Sequence, residues 1–265
     1  FARAEQEVIL CGGVINTPQL LMLSGVGNPQ ELTKIGVKTK IDLEGVGMNL
    51  QDQMSAVILY KRKGNGPFHH HMRTDRIASA LAKAYLFGTG FASEVPGGIT
   101  AFLRTESMHS LPNIQLLLTA APLGAWPYFR PFKAPFNDGF VSRVVLLNPE
   151  SRGEVKLVSS NITDKPMIKQ NFLSSSKDWA TLRDGLRMAR DIAAQPHMTE
   201  FIEKEVAPGI SKTSNKDLNR HISATAITLH HPLGTCRMGH PDDAMTVVDS
   251  ELRVLGADSL RIVDG

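Results

Sequence analysis

The sequence predicts an α/β protein, α+β overall, in which a nucleotide-binding type of domain is interrupted by a second domain. Residues 8–11 are a short apolar run typical of a buried parallel strand, and residues 260–263 show strand character that resembles it. Residues 140–147 and 154–158 flank a turn and read as two antiparallel strands, the second with clear alternation. A chain that begins and ends in one kind of sheet and builds another between them indicates an inserted domain.

The composition is that of an ordinary globular protein, with 265 residues, 42% hydrophobic content and a net charge of +3. The charges are interspersed, which argues against a nucleic-acid groove or a polybasic membrane patch. No apolar window reaches the ~18 residues that a spanning helix needs. Cys11 and Cys236 are too few for a disulfide framework and have no metal-binding spacing. We therefore predict no metal site.

The two ends of the sequence look like cuts through a fold, because predicted strands lie close to both. The chain begins at Phe1 without an initiator Met and ends at Gly265, directly after a predicted strand. We therefore expect a fragment, a nicked product or one chain of a two-chain enzyme. The sequon at Asn161 permits a secretory origin, and on that basis we expect a secreted or extracellular protein.

The first strand leads into a turn and a helix. Two glycines follow residues 8–11, after which Thr17 can cap a helix and Pro18 can occupy its first position. Asn28 precedes a proline at the start of a second short helix, and Gly36 ends that helix. The opening of the chain is therefore predicted to alternate strand and helix.

The residue pattern changes after Asp52. Residues 61–73 are basic and contain three consecutive histidines, 69–71, which we interpret as a mobile surface loop rather than a metal site, because no carboxylate or cysteine is spaced to help. Residues 178–194 carry an apolar stripe at helical spacing after the serines at 174–176, which predicts a capped helix packed in the core.

These patterns divide the chain into three stretches. Residues 1–50 are predicted to form part of the nucleotide-binding domain, 51–220 the inserted substrate domain, and 221–265 the return to the first domain. Strand character at residues 246–249 and 252–255 belongs to that return. Ligands are expected at the junction of the two domains.

Two long motifs resemble the glucose-methanol-choline (GMC) oxidoreductases, which are flavoenzymes that oxidise alcohols with FAD. Residues 7–27 (EVILCGGVINTPQLLMLSGVG) are similar to the second signature of that family. Residues 231–239 (HPLGTCRMG), followed by the end of the chain to residue 265, are similar to its C-terminal block. Residues 45–52 and 88–93 fit between the two motifs, so the resemblance spans the whole chain.

The resemblance is to the C-terminal half of such an enzyme. Family members carry a Gly-x-Gly-x-x-Gly dinucleotide loop near the N-terminus, whereas the glycine triplets at Gly25, Gly45 and Gly88 lack the third glycine. The second catalytic residue of the family, a His or Asn, would lie beyond Gly265. The resemblance therefore implies a second polypeptide or a missing segment that carries the N-terminal FAD-binding half.

The resemblance assigns the catalytic base to His231, three residues before the Gly-Thr pair of the motif. Alcohol oxidation needs a base at the hydroxyl group, and imidazole titrates near neutrality. His230 would then face away or shape the pocket. Cys236 is interpreted as a buried small hydrophobe rather than a nucleophile.

FAD contacts are assigned by the same resemblance. Cys11, Gly12 and Gly13 would let the backbone approach the adenosine portion, although close packing of helix on strand explains these small residues too. Asp264 and Gly265 resemble the pair whose backbone N–H groups approach the ribityl-pyrophosphate region.

Other polar and aromatic residues have less specific interpretations. Trp126, Tyr128 and Phe129 could line an aromatic substrate pocket or fill the core. Asn49 and Asp52 are expected to hold the loop between the domains.

The resemblance implies FAD-dependent oxidation of a small-molecule alcohol, with hydride transfer to flavin N5 and proton transfer to His231. Oxidase and dehydrogenase activity are both open, as is the identity of the alcohol. One alternative is a hydroxynitrile lyase, in which the same base deprotonates a cyanohydrin and the flavin does not cycle. Another is a non-catalytic remnant that serves as a binding module and carries no flavin.

Overall fold

The computed structural model describes residues 3–93, 98–106 and 110–265, which form two compact units. Unit 1 contains the N-terminal segment up to Gln53, Pro149–Ser176 and Leu229–Gly265. Unit 2 contains Met54–Asn148 and Lys177–Thr228. One unit is thus interrupted by the other, and residues 149–176 lie in unit 1, whereas the sequence placed them in the inserted domain. The assignment of FAD and substrate binding to these units stays a prediction.

The described helices are, in chain order, α1 (Gly13–Leu23), α2 (Pro29–Lys34), α3 (Pro67–His71), α4 (Thr74–Phe87), α5 (Ser176–Ala193), α6 (Pro196–Thr199) and α7 (Asn215–Thr225), with a 3₁₀ turn at Phe91–Ser93. The described strands are β1 (Val8–Leu10), β2 (Val26–Gly27), β3 (Ile41–Asp42), β4 (Met54–Arg62), β5 (Ile99–Leu103), β6 (Ile114–Thr119), β7 (Gly139–Leu146), β8 (Glu154–Lys156), β9 (Met167–Lys169), β10 (Ile202–Ala207), β11 (Ile227–Thr228) and β12 (Leu260–Ile262). No described helix has the length and apolarity that a membrane crossing requires.

The first and last strands pair in parallel, as the sequence predicted. β1 and β12 are in register from Val8 opposite Leu260 to Leu10 opposite Ile262. The predicted burial of β1 is wrong, because Val8 is 46% and Ile9 51% exposed. Among the described residues this sheet has two strands, which is too narrow to bury its own apolar faces.

The core of unit 1 lies against α1 and α2 rather than around β1. Its buried apolar residues come from several helices, strands and loops. They are Leu21, Met22, Val26, Leu32, Leu43, Val46, Cys236, Val247, Val248, Val254 and Ile262. Residues 246–249 and 252–255 were predicted as strands, and that prediction is wrong. Val248 forms isolated bridges with Met238 and Val254, so these segments pack as extended loops without a continuous ladder.

Helix α1 begins earlier than the sequence predicted. It starts at Gly13 and contains Pro18 in its interior, so Thr17 does not cap it. The Thr17 hydroxyl instead accepts a hydrogen bond from the Gly12 N–H at 3.0 Å. Proline cannot donate to the carbonyl four residues earlier, and here the Thr235 hydroxyl donates to that carbonyl of Val14 at 2.6 Å. Thr235, in the motif at residues 231–239, thus compensates for the backbone N–H that Pro18 lacks.

We predict that Thr235→Val destabilises the protein by about 1–3 kcal/mol, because it leaves the Val14 carbonyl without a donor. Thr235 has no exposed surface, so water cannot easily replace the hydroxyl. In a Pro18→Ala background the new N–H at position 18 can donate to Val14, and Thr235→Val should then cost clearly less. Urea unfolding of the four proteins of this double-mutant cycle measures the difference. Equal costs in both backgrounds would contradict the compensation.

The second helix is confirmed. The Asn28 side chain accepts hydrogen bonds from the Gln30 and Glu31 N–H groups at 2.9 and 3.2 Å, which caps α2. Gly36 follows the helix with a φ of +75°, a conformation that glycine adopts without strain.

Unit 2 is built on a six-stranded antiparallel sheet. The strand order is β10-β4-β7-β6-β5, with β11 also pairing with β4. The strands predicted at residues 140–147 and 154–158 are present, but their predicted pairing is wrong. β7 pairs with β4 and β6, and β8 pairs with β9. The antiparallel character of the inserted region is confirmed.

Helix α5 packs on this sheet through the predicted stripe. Leu182, Leu186, Ala189 and Ala193 are buried. A Cβ atom added at Gly185 would lie 2.5 Å from Val144 Cγ1 of β7. Glycine therefore permits the close approach of helix and sheet.

The three consecutive histidines do not form the predicted loop. They end the short helix α3, and His69 is 4% exposed, with its Nε2 atom 3.1 Å from the Phe136 carbonyl oxygen. The aromatic rings of Tyr128 and Phe136 pack against His69 at centroid distances of 5.1 and 4.8 Å. Burial among these rings explains a helix where the charge pattern alone indicated a mobile segment.

Candidate active site

His231 lies in a bulge between two antiparallel segments of unit 1. The Leu233 N–H donates to the Gln51 carbonyl at 2.8 Å and the Gln51 N–H to the Leu233 carbonyl at 2.9 Å. The Leu229 N–H donates to the Gln53 carbonyl at 3.0 Å. On the first segment the paired positions, Gln51 and Gln53, are therefore separated by one residue. On the second segment Leu229 and Leu233 are separated by three, residues 230–232. Bulges of this kind re-aim side chains next to functional sites.

Polar contacts hold the bulge in place. His230 has a φ of +61°, an uncommon value for a residue with a side chain. The His231 N–H donates to Asp52 Oδ1 at 3.0 Å, and Asp52 is 6% exposed. The Asn49 amide donates to the Gly234 carbonyl at 3.1 Å, and Gly234 has a φ of +95°. Asn49 and Asp52 thus organise the segment around His231 within unit 1.

The His231 ring lies at the surface of the unit. Its Nδ1 atom is 3.0 Å from Gln53 Oε1. Gln53 belongs to no motif that predicted a functional role from the sequence. Its position directly after Asp52 would identify it only if the pairing of residues 51 and 233 were known.

The predicted cofactor residues meet where β1 and β12 end. The Val263 N–H donates to the Leu10 carbonyl at 3.0 Å and extends the parallel pairing. Asp264 Oδ2 then accepts hydrogen bonds from the Gly13 N–H at 3.0 Å and from the Thr17 hydroxyl at 2.5 Å. The carboxyl ends of parallel strands are where open α/β sheets bind nucleotides.

The surface of this cluster has room and donors for an anionic group such as the pyrophosphate of FAD. A Cβ atom added at Gly13 would have no atom within 4 Å. The Gly13 N–H is bound to Asp264, so it is not available to a ligand. The N–H groups of Asp264 and Gly265 have no hydrogen-bond partner among the described residues. Adjacent backbone donors of this kind are suited to anion binding, so the residues present fit the group.

The strand-end cluster and the histidine bulge adjoin each other. A Cβ atom added at Gly265 would lie 3.7 Å from Leu233 Cβ and 3.8 Å from the Pro232 carbonyl oxygen. Pro232 directly follows His231 in the bulge. The structure thus brings the predicted base and the predicted cofactor residues together in unit 1, although Cys11, Gly12 and Gly13 lie more than 200 positions before His231 in the sequence.

Cys236 lies in the core beneath this site. It is 9% exposed, and burial, followed by the charge of Asp264, raises the pKa of its thiol to about 12. A thiol with so high a pKa is not a nucleophile near neutral pH. This agrees with the prediction of a small hydrophobe.

The three aromatic residues singled out by sequence lie in unit 2. Tyr128 and Phe129 line a cavity of about 500 Å³. Trp126 is not among its lining residues, and its Nε1–H donates to the Ala134 carbonyl at 3.1 Å. Tyr128 is 8% exposed and also packs into the local core. The role of these residues as a substrate pocket stays a prediction.

Known proteins are similar to this chain over nearly its whole length. The two models described as GMC oxidoreductase match residues 1–55 and 149–265. An oxygen-dependent choline dehydrogenase of Chromohalobacter salexigens is 34% identical over 269 residues, an alignment that covers 99% of this chain and 46% of that protein. The chain thus spans about half the length of the curated relatives it matches.

Solved structures agree in fold. Pyridoxine 4-oxidase from Mesorbium loti matches with a TM-score of 0.77 and 27% identity, covering 97% of this chain and 46% of that one. The formate oxidase of Aspergillus oryzae, a variant solved to study modification of its FAD, matches with a TM-score of 0.81 and 25% identity, covering 98% and 49%. The predicted mixture of helix and sheet is therefore found in flavoenzymes of this fold.

Proposed function

Because this chain belongs to the GMC oxidoreductase family, we propose that the protein is an FAD-dependent enzyme that oxidises an alcohol, with His231 as the general base. The observation that carries the proposal is the position of His231. Its ring is exposed on a bulge that adjoins the strand-end cluster of Asp264 and Gly265. Base and cofactor site must be neighbours in such an enzyme, because the proton and the hydride leave the same carbinol group.

The roles of the residues follow from this arrangement. FAD, when bound, supplies the hydride acceptor at N5. The imidazole of His231 accepts the hydroxyl proton, which makes loss of the hydride from the neighbouring carbon possible. Asp52 holds the backbone of His231, so the ring is positioned before the substrate arrives. His230 is proposed to shape the pocket from the adjacent position.

Cys11, Gly12, Gly13, Asp264 and Gly265 are proposed as the part of the FAD site that this chain contributes. The open space at Gly13 and the backbone donors at residues 264 and 265 support this assignment. Asp264 orders the cluster through its contacts with Gly13 and Thr17.

We predict that Asp264→Ala lowers the affinity for FAD by about 10-fold or more, because FAD binding must then order a cluster that has lost the charge-assisted hydrogen bonds, worth about 1.5–3 kcal/mol, to Gly13 and Thr17. Asp264→Asn is the matched control, since its amide oxygen still accepts from the Gly13 N–H. Fluorescence titration of the deflavinated protein with FAD measures both variants. Equal affinity of wild type and Asp264→Ala would remove Asp264 from the site.

The substrate is proposed to be a small-molecule alcohol. Choline and pyridoxine, from the names of the relatives, are the first compounds to test. Trp126, Tyr128 and Phe129 are proposed as substrate-pocket residues from the sequence pattern, and the cavity of unit 2 that Tyr128 and Phe129 line supports those two. Aryl alcohols belong in the same panel.

The remaining half of the FAD site is proposed to come from a further segment or a second polypeptide. The exposed apolar residues Val8 and Ile9 of β1 support this, because a parallel strand is normally covered on both faces. A secreted location is proposed from the sequon alone. A loss of mass on enzymatic deglycosylation of the native protein would support it, and an unmodified Asn161 would count against it.

The test is anaerobic mixing of the full-length, FAD-loaded protein with the alcohol panel. Bleaching of the flavin band together with formation of an aldehyde is the expected result. Release of aldehyde and cyanide from cyanohydrins without bleaching would identify a hydroxynitrile lyase instead. A full-length protein that neither contains nor binds flavin would identify a non-catalytic binding module.

A further inference from the structure

Gln53 is the side chain that contacts the His231 ring directly. Its Oε1 atom lies 3.0 Å from Nδ1 of the ring. Gln53 comes from the segment opposite the bulge, and its own backbone carbonyl accepts the Leu229 N–H at 3.0 Å, just before the bulge begins. Both ends of this contact are therefore anchored by the same antiparallel pairing.

The chemistry of the two atoms determines which one donates. An amide oxygen can only accept a hydrogen bond. With Oε1 as its partner, the geometry assigns the proton to Nδ1. A neutral imidazole carries one proton, so Nε2 of His231 then holds the lone pair.

We propose that Gln53 is a positioning residue, whose amide oxygen accepts the Nδ1–H of His231 and keeps the ring in the orientation and tautomer in which Nε2 is the base. The inference rests on the proposed function of His231 and adds a residue that acts through it. The contact is the counterpart of the acceptor that orients the histidine of a catalytic triad.

The Gln53 side chain is uncharged, which affects how strongly the His231 ring holds a proton. A carboxylate at this position would stabilise the protonated ring and so hold the proton after transfer. An amide orients the ring without adding charge. The nearby carboxylate, Asp52, is bound instead to the backbone N–H of His231, and the neighbouring titratable ring is that of His230. Orientation of the ring thus comes from an uncharged group.

The test uses Gln53→Met, which keeps the length of the side chain and removes the acceptor, and Gln53→Glu, which keeps an acceptor oxygen. Gln30→Met, on the exposed surface of α2, is the matched control. The first measurement is the ring ¹⁵N spectrum of the full-length, histidine-labelled protein at alkaline pH, with His231 identified by its absence from His231→Ala. The second is the rate of anaerobic flavin reduction, separated from substrate affinity.

We expect wild type, Gln53→Glu and Gln30→Met to show a protonated Nδ1 and an unprotonated Nε2. Gln53→Met should show a mixture of tautomers. Its reduction rate should fall by about 10-fold or more, while substrate affinity changes little, because removing a partner that orients a histidine costs about 10- to 100-fold at metal sites and the same loss of orientation here acts on the base. Gln53→Glu should recover the tautomer, and its reduction should need a higher pH than that of wild type.

A wild-type ring spectrum in Gln53→Met overturns the inference, and so does an unchanged reduction rate when His231→Ala is slow. If Gln53→Met alters the tautomer but His231→Ala reduces at the wild-type rate, the contact is upheld and the proposed role of His231 fails. The spectrum and the rate therefore separate the two claims.

Discussion

His231→Ala is expected to slow reduction of the bound flavin by the alcohol by about 10²-fold or more. Positioned general bases contribute factors of about 10²–10⁴ to catalysis, and alanine has no group to accept the hydroxyl proton. Substrate affinity should change much less than the rate, because proton transfer develops in the transition state. Stopped-flow measurement under anaerobic conditions gives the two parameters separately.

His240→Ala is the matched control for this experiment. His240 lies in unit 1, nine positions along the chain, and its side chain is 77% exposed. It should leave the reduction rate within about a factor of two, as expected for a surface site. Added imidazole should restore part of the rate to His231→Ala. Wild-type rates for His231→Ala would exclude it as the base, whatever the control shows.

Arg190→Met is expected to destabilise unit 2 by about 3–5 kcal/mol. Arg190 Nε and Nη2 donate to the two carboxylate oxygens of Glu205 at 3.0 and 2.7 Å. The two side chains are only 12% and 3% exposed. Arg190 also donates to the carbonyls of Lys212 and Gly209. Its removal leaves a buried carboxylate without its counter-charge, although the Gly209 N–H still donates to Glu205 Oε1 at 3.0 Å, and takes one donor from each of two carbonyls.

Two further variants make this prediction specific. Arg190→Met combined with Glu205→Leu should recover much of the lost stability, because an apolar pair avoids the unpaired buried charge. Arg187→Met, one turn earlier on α5, removes an exposed pair with Asp184, whose side chains are 40% and 41% accessible, and an exposed hydrogen bond to Asn215 Oδ1. It should cost no more than about 1 kcal/mol. Urea unfolding followed by far-ultraviolet circular dichroism measures all three. Similar costs for Arg187→Met and Arg190→Met would refute the argument from burial.

Helices were predicted where local patterns are strong. The apolar spacing of residues 178–194 and the Asn-Pro start of α2 depend on residues within a few turns of each other, and both helices are present. Helix α1 was misplaced because Pro18 is tolerated in its interior. That tolerance comes from Thr235, 217 positions away, and no local pattern contains it.

Strand existence was predicted better than strand pairing. The predicted ranges 140–147 and 154–158 overlap β7 and β8, but β8 pairs with β9 and β7 with two other strands of unit 2. A period of two residues indicates that a segment is extended. It does not indicate which other strand the segment pairs with, or in which register.

The sequence by itself determined the family resemblance, the mixture of parallel and antiparallel sheet, and the choice of His231, because motif order and side-chain periodicity are local properties of the chain. Only the tertiary structure decided how His231 is presented. The bulge, the Asp52 contact with its backbone and the Gln53 contact with its ring all join segments about 180 positions apart. Such contacts depend on the register of distant backbone segments, which hydrogen bonding and packing select only when the chain is folded.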